Sequence, residues 1–271
     1  MHDVWRPSVK YRTRYWGVLI CAISLVGMPA VSAQDARIRP ATLLPTADTA
    51  LDLTLQLPTT LRDAETTWDN VNIGECFIRS GGEQHTITPQ ALASDPRSGT
   101  ITIDRVGPAL LCLSVGPPES RGHSDSWQRV SYCAKIILDV QPGPNQREER
   151  FMPNPGVTAK TGQKLEILPL VDPTTIRPGH DLPIRVYFEG VKIKGAKMTA
   201  SVTADGFAKT IDTIEAHHPT DSHGTTWFHV ERAGTWTIRL EHDAPNHDNP
   251  HGAAEHYTAE LIFQIGQGAS S

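Results

Sequence analysis

The chain has 271 residues, enough for one large or two modest domains. Its 25 Lys+Arg against 30 Asp+Glu give a formal net charge of −5, and no nucleic-acid partner, which would call for a basic patch, is expected. Proline and glycine, 21 each, favour many short strands joined by turns over long helices.

Residues 1–33 read as an export signal. Arg6, Lys10, Arg12 and Arg14 form a basic start, Trp16 to Val26 an apolar run, and Val31-Ser32-Ala33 a small-residue cleavage site, so the mature chain is expected to begin at Gln34. The apolar run is short for a membrane span of about 20 residues, and Cys21 lacks the small residue that a lipoprotein signal places before its cysteine. Removing this segment takes four basic residues and one acidic residue, which leaves 21 Lys+Arg against 29 Asp+Glu, a net of −8. No second apolar run is long enough to cross a bilayer, so the expectation is a soluble periplasmic or secreted protein without stable membrane insertion.

The mature part begins as a small β-sandwich, expected over residues 34–145. Leu51, Leu53, Leu55 and Leu57 alternate with polar residues in a first strand. Ile73 to Arg79, Thr100 to Val106, Ala109 to Val115 and Tyr132 to Val140 follow, with Gly-, Ser- and Pro-rich turns between them. The run Ala109 to Val115 has no polar alternation and reads as a strand buried on both faces. Cys76, Cys112 and Cys133 lie in these strand contexts. In an oxidising compartment two of them are expected to pair and the third to remain a buried thiol, with no C-x-x-C to suggest a metal-thiolate site. Gln141 to Gly156, with four prolines and no periodicity, is the linker candidate.

Residues 160–266 read as a second, immunoglobulin-like sandwich, so the fold class is all-β with two β-sandwich domains. Lys164 to Thr203 reads as strand, turn, strand, turn, strand. Arg177-Pro178-Gly179-His180 is a turn in which Pro presets φ and Gly accepts a positive φ. Leu182, Ile184, Val186 and Phe188 alternate with Pro183, Arg185, Tyr187 and Glu189, and Glu189-Gly190 turns the chain back. Ala208 to Ile214, Thr225 to Glu231, Thr235 to His242 and His256 to Ile265 complete the set. Trp236, Ile238 and Leu240 alternate with Thr237, Arg239 and Glu241, which makes Trp236 a core anchor.

The same stretch carries a resemblance. Leu165-Glu166-Ile167, Pro169-Leu170, Asp172-Pro173, Gly179, Gly190, Gly195-Ala196 and then Gly234, Trp236, Ile238 and His242 resemble the pattern of a family of periplasmic β-domains of unknown function, grouped with soluble components of nickel and cobalt uptake. The likeness runs over about residues 130 to 243. The family's Gly-Lys-Pro turn is here Gly190-Val191-Lys192, and its early H-x-x-W/F motif is absent from the start QDARIRPATLLP. The resemblance implies an exported β-domain associated with transition-metal handling and, as a partner, a membrane transporter component.

Eight of the twelve histidines fall between residues 217 and 256. His217, His218, His223, His242, His247, His251 and His256 are the candidate metal ligands, with His229 expected on an exposed strand face. Neutral imidazole suits nickel, cobalt, zinc and copper, and Asp221, Glu241, Asp243, Asp248 and Glu255 could complete such a site. If 225–231 and 235–242 form a hairpin, its two His-bearing flanks meet at one end of the sandwich. The bland reading stands beside this: exported loops carry solvated histidines, and no H-E-x-x-H helix motif is present.

No catalytic residue is nominated. Gly-x-Ser-x-Gly, a Walker loop and G-x-G-x-x-G are all missing, and the expectation is a binding protein. The alternative is an envelope interaction module that binds protein or glycan, with Trp127, Trp227 or Tyr257 as stacking surfaces.

Overall fold

The architecture follows from one strand property: side chains alternate between faces, so a strand buried on both faces serves two cores. The computed structural model describes residues 37–56, 72–87, 97–116, 129–144, 155–203, 210–245 and 254–266. The expected export segment 1–33 lies outside these residues. Among the described residues, no helix is long and apolar enough to cross a membrane.

The described residues form fifteen strands: β1 (Arg37–Pro40), β2 (Ala50–Gln56), β3 (Asn72–Ser80), β4 (Glu83–Thr86), β5 (Arg97–Thr102), β6 (Gly107–Gly116), β7 (Arg129–Val140), β8 (Leu165–Pro169), β9 (His180–Phe188), β10 (Val191–Lys192), β11 (Thr199–Thr203), β12 (Thr210–Glu215), β13 (Thr225–Val230), β14 (Gly234–Ala244) and β15 (Glu255–Ile265). They make three sheets. The central one has eight strands in the order β12-β11-β14-β15-β7-β6-β3-β4. A small sheet β1-β2-β5 belongs to one of its faces, and a second sheet, in which β9 pairs with β8, β10 and β13, belongs to the other.

Two cores result. Leu51, Leu53 and Leu55 of the small sheet pack with Leu111, Leu113, Ile136 and Leu138 of the central sheet. Leu182, Ile184, Val186 and Phe228 pack with Trp236, Ile238, Leu261 and Phe263 in the other core. The continuous apolar run of β6 is thereby explained: Ala109, Leu111, Leu113 and Val115 point into the first core, Leu110 and Cys112 into the second. The second sandwich sets β8, β9 and β13 against β12, β11, β14 and β15, a three-on-four immunoglobulin-like arrangement.

The two halves of the chain are joined in the central sheet. β15 pairs in parallel with β7, from Glu255 opposite Arg129 to Ile262 opposite Ile136. The strands expected before and after residues 141–156 are therefore sewn together by main-chain hydrogen bonds, and Ala33–Ser271 is one compact unit. The start of the linker candidate is itself tied down: Gln141 N–H donates to Pro45 O (2.7 Å), and Ala47 N–H donates to Gln141 O (2.9 Å).

Polar groups finish this junction. Lys135 on β7 is 1 % exposed and Glu166 on β8 is 2 % exposed, and their Nζ and Oε1 stand 2.6 Å apart. Thr161 donates to the same Oε1 through its N–H (2.6 Å) and its hydroxyl (3.0 Å). Gln163 Nε2 reaches between β6 and β7 to donate to Leu113 O and Ala134 O, at 2.9 and 3.1 Å.

Three expectations are corrected. Residues 225–231 and 235–242 are not a hairpin: β13 pairs with β9, whereas β14 pairs with β11 and β15. The short connection crosses between sheets, and it can do so because Gly234 adopts φ +140° with its Cα so close to Thr203 O that a Cβ would lie 2.5 Å from that oxygen. The expected strand Thr100 to Val106 lies earlier, ending at Thr102, since Ile103 O accepts instead from Asp48 N–H (2.8 Å).

The third correction concerns the expected disulfide: Cys76, Cys112 and Cys133 are all buried free thiols. Cys76 sits in one core and the other two in the opposite core. Cys112 faces Lys135 across the ladder and Cys133 faces Ser114, so these two are diagonal neighbours, beyond comfortable bridging distance. Burial pushes the Cys76 thiol up to about 11 and Cys112 to about 12, so both stay neutral and unreactive.

Two substitutions test this account in denaturant unfolding. Trp236, fully buried, is expected to cost about 3–5 kcal/mol on truncation to Ala; a loss under about 1 kcal/mol would contradict its place as core anchor. Lys135→Met is expected to cost about 3–5 kcal/mol by stranding a buried carboxylate, and Lys135→Met with Glu166→Gln to recover most of it. Equal losses in the single and double variants would show that the pair contributes packing alone.

Candidate functional site

Strand register sets the end of β12 beside the end of β14 and the start of β15, so His217, His218, His242 and His256 lie toward one end of the sandwich, but their imidazoles have separate neighbours. His217 and His218 follow β12, in the segment that carries the chain from the central sheet to β13. That segment is pinned at both edges. Ala216 N–H donates to Met198 O (3.0 Å), His217 N–H to Trp227 O (3.0 Å) and Thr220 N–H to Ala196 O (3.0 Å). The buried Thr220 hydroxyl donates to Ile193 O (2.7 Å), and that of Thr226 to His218 O (2.6 Å).

Both imidazoles pack on Trp227. His217 stacks at 4.7 Å between centroids with planes 23° apart, and His218 meets the indole edge-on at 4.3 Å. The two imidazole centroids are 5.8 Å apart. His218 Nδ1 lies 2.6 Å from Pro219 O. A carbonyl only accepts, so Nδ1 carries the proton, and in the neutral ring Nε2 holds the free lone pair. A similar contact to a main-chain carbonyl often fixes the tautomer of a metal-binding histidine.

Beside this pair a cavity of about 470 Å³ opens on the outer face of the central sheet. Its walls include Lys197, Glu215, His217, His218, Arg239 and Glu241. Strand register explains the grouping: Thr199 lies opposite both Glu215 and Arg239, so the three project from one row across β12, β11 and β14. Arg239 holds Glu241 through Nη2 (2.8 Å) and Nε (3.1 Å) and approaches the buried Glu260 (3.6 Å). Glu260 in turn accepts from the Tyr132 hydroxyl (2.8 Å). The alternation of Arg239 and Glu241 with the Trp236 face marks them as outward-facing; their convergence with residues 197 and 215–219 has no local sequence signal.

The other described candidate ligands have partners of their own. His223 is exposed on the turn before β13, where its N–H donates to Asp221 Oδ1 (2.8 Å). His229, on the outer face of β13, pairs with Asp181 (2.8 Å). His242 and His256 lie on opposite faces of the β14–β15 ladder: His242 opposes Tyr257, and Asp243 opposes His256. His242 packs on Phe188 at 4.6 Å, and His256 Nδ1 contacts Asp243 Oδ1 (2.7 Å). His247, His251 and Asp248 lie outside the described residues, as does Trp127. Among the described residues, no three His, Cys, Asp or Glu side chains are placed to hold one metal ion. Of the proposed stacking surfaces, Tyr257 is buried, with Lys164 Nζ 2.8 Å from its hydroxyl, and Trp227 is covered in part by the two imidazoles.

Burial lowers the His242 pKa, against a smaller raising effect of Asp243. A histidine depressed on folding favours the neutral folded state, so its contribution is present above the unfolded value near 6.5 and is lost as pH falls through the lower folded value. Stability is expected to drop on acidification from about pH 6.5 downward, and His242→Phe to flatten that part of the profile. An unchanged slope in the variant would assign the acid sensitivity to other groups.

Comparisons place the chain among known proteins. Its residues 77–244 match the model of a domain of unknown function, DUF4198, a span that begins in β3 and ends with β14 and so takes strands from both sandwiches. No curated protein matches the chain. Similar solved structures include carbohydrate-binding modules of the β-sandwich superfamily (13 % identity, 89 % of this chain and 95 % of that one, TM-score 0.26). Others are fibronectin(III)-like modules of Clostridium thermocellum CbhA (11 % identity, 87 % and 97 %, TM-score 0.18) and murine CEACAM1b (8 % identity, 86 % and 100 %, TM-score 0.21). With well over half of its length covered by one family model, the chain belongs to the DUF4198 family of domains of unknown function.

Proposed function

We propose that this protein is an exported binding protein that handles a transition-metal ion, nickel or cobalt foremost, at the His217–His218 end of its C-terminal sandwich. The observation that carries the reading is the imidazole pair itself. Two adjacent rings are held on Trp227 by main-chain and threonine hydrogen bonds, and one of them has its tautomer set by Pro219 O.

The chemistry is consistent with that role. Ring nitrogens bind such ions at about 2.0–2.1 Å, so rings with centroids 5.8 Å apart are close enough to reach one ion together. Immobilised ligands lose little conformational entropy on binding. The net of −8 after residue 33 favours cations in the surrounding field. The resemblance to proteins grouped with nickel and cobalt uptake points the same way, and a membrane transporter component is the partner this reading implies. Binding, and not turnover, is the proposed activity.

Calorimetric titration of residues 34–271 with nickel, cobalt, zinc and copper near neutral pH tests the reading. Saturable binding at a whole-number ratio is expected, accompanied by a change in tryptophan fluorescence from Trp227, on which both rings pack. His217→Ala with His218→Ala is expected to weaken binding at least about tenfold while leaving the unfolding midpoint nearly unchanged. Full affinity in that variant would remove the pair from the site.

A further inference from the structure

The cavity beside the two histidines is too large, and its walls carry the wrong mixture of charge, for a bare ion. Building on the metal reading above, we propose that the ligand is a transition-metal ion already held by a small carboxylate chelator, and that the protein recognises both parts of the complex. The imidazoles of His217 and His218 would complete the coordination of the ion, and the walls would take the organic part.

Three observations converge. The first is the ligand count. Four to six positions surround such an ion, and among the described residues the pair has no third ligating side chain placed to join it. Among the described residues this leaves coordination positions open to a ligand that arrives with the ion. The second is size. A water takes about 30 Å³ of liquid volume, so an ion with a few waters would fill only about a quarter of 470 Å³. That volume lies in the range of sites for small organic molecules, about 300–1,000 Å³.

The third is charge. A site for a naked dication is walled by carboxylates and carbonyls. Here Lys197 and Arg239 stand on the same walls as Glu215 and Glu241. Arg239 is engaged by Glu241 and Glu260, which among the described residues of the walls leaves the Lys197 ammonium as the cation placed to meet a chelator carboxylate. An ammonium would repel an aquo dication but attract a complex whose carboxylates face outward. Thr199 and Glu215 add a hydroxyl and a carboxylate for the chelator's remaining polar groups.

The test compares four probes on residues 34–271 by calorimetry: nickel chloride in a non-coordinating buffer, nickel citrate, nickel bis(glycinate), and citrate without metal. The expected result is that at least one of the two complexes binds ten times or more tightly than the free ion. Lys197→Gln should erase that advantage and, by removing a repulsive charge, make free-ion binding no weaker, and His217→Ala with His218→Ala should weaken every nickel-containing probe. Free nickel binding as tightly as both complexes would overturn the chelate inference and leave the metal reading standing. Metal-free citrate binding as tightly as nickel citrate would overturn both, by making the cavity a site for organic anions. No binding of any nickel form would likewise overturn both. A Lys197→Gln variant that keeps the full advantage of the complex would overturn the assigned recognition of the chelator.

Discussion

The parallel pairing of β7 with β15 is the constraint on which the rest of the structure depends. It joins the first strand group to the last strand of the chain, so one eight-stranded sheet runs through the molecule and each of its faces carries a core. A parallel pair requires strands far apart in sequence to meet. Here the intervening chain builds an entire immunoglobulin-like sandwich before β15 returns to β7. The family match starts in the first strand group and ends with β14 of the second.

The buried Lys135–Glu166 pair shows what this junction demands. A buried ion pair seldom adds net stability over apolar residues of similar volume. At this position it does something an apolar pair would not. Glu166 also accepts two hydrogen bonds from Thr161, and Gln163 donates to carbonyls of β6 and β7. The segment before β8 is thus fixed against the central sheet by directional contacts, and the register of β8 on β9 is set at the same time. Apolar contacts are less selective about register than hydrogen bonds with fixed geometry.

The candidate site depends on this frame at one remove. β11, β12 and β14 form the free end of the central sheet, and their outward row places Glu215, Thr199 and Arg239 side by side. The segment from Ala216 to Thr220 leaves this edge to enter the other sheet, and the crossing brings His217 and His218 onto Trp227. Rigidity there comes from main-chain bonds to both sheets, so the imidazoles are held by the scaffold and not by a mobile loop. Three further histidines have neighbours of their own: His229 has Asp181, His256 has Asp243, and His242 has Phe188.

Much of the fold was legible in the sequence because it rests on local patterns. Period-two alternation gave the strands of the second half, the unbroken apolar run of β6 announced burial on both faces, and the alternation around Trp236 placed it in the core. Turn chemistry was equally direct: Glu189 and Gly190, both at positive φ, close the β9–β10 hairpin. Which strands pair is a different kind of information. Successive strands β13 and β14 look like a hairpin in sequence, yet the short connection at Gly234 sends them to different sheets, and no local pattern distinguishes a two-strand turn from a crossing. The cysteines looked bridgeable for the same reason, until register made two of them diagonal and put the third on the opposite face. The histidine-rich stretch identified the chemistry available to the site. Only the tertiary structure decided that His217 and His218 share a platform while His242 and His256 face opposite ways, because which face a residue occupies is set by strand register and pairing across the whole chain.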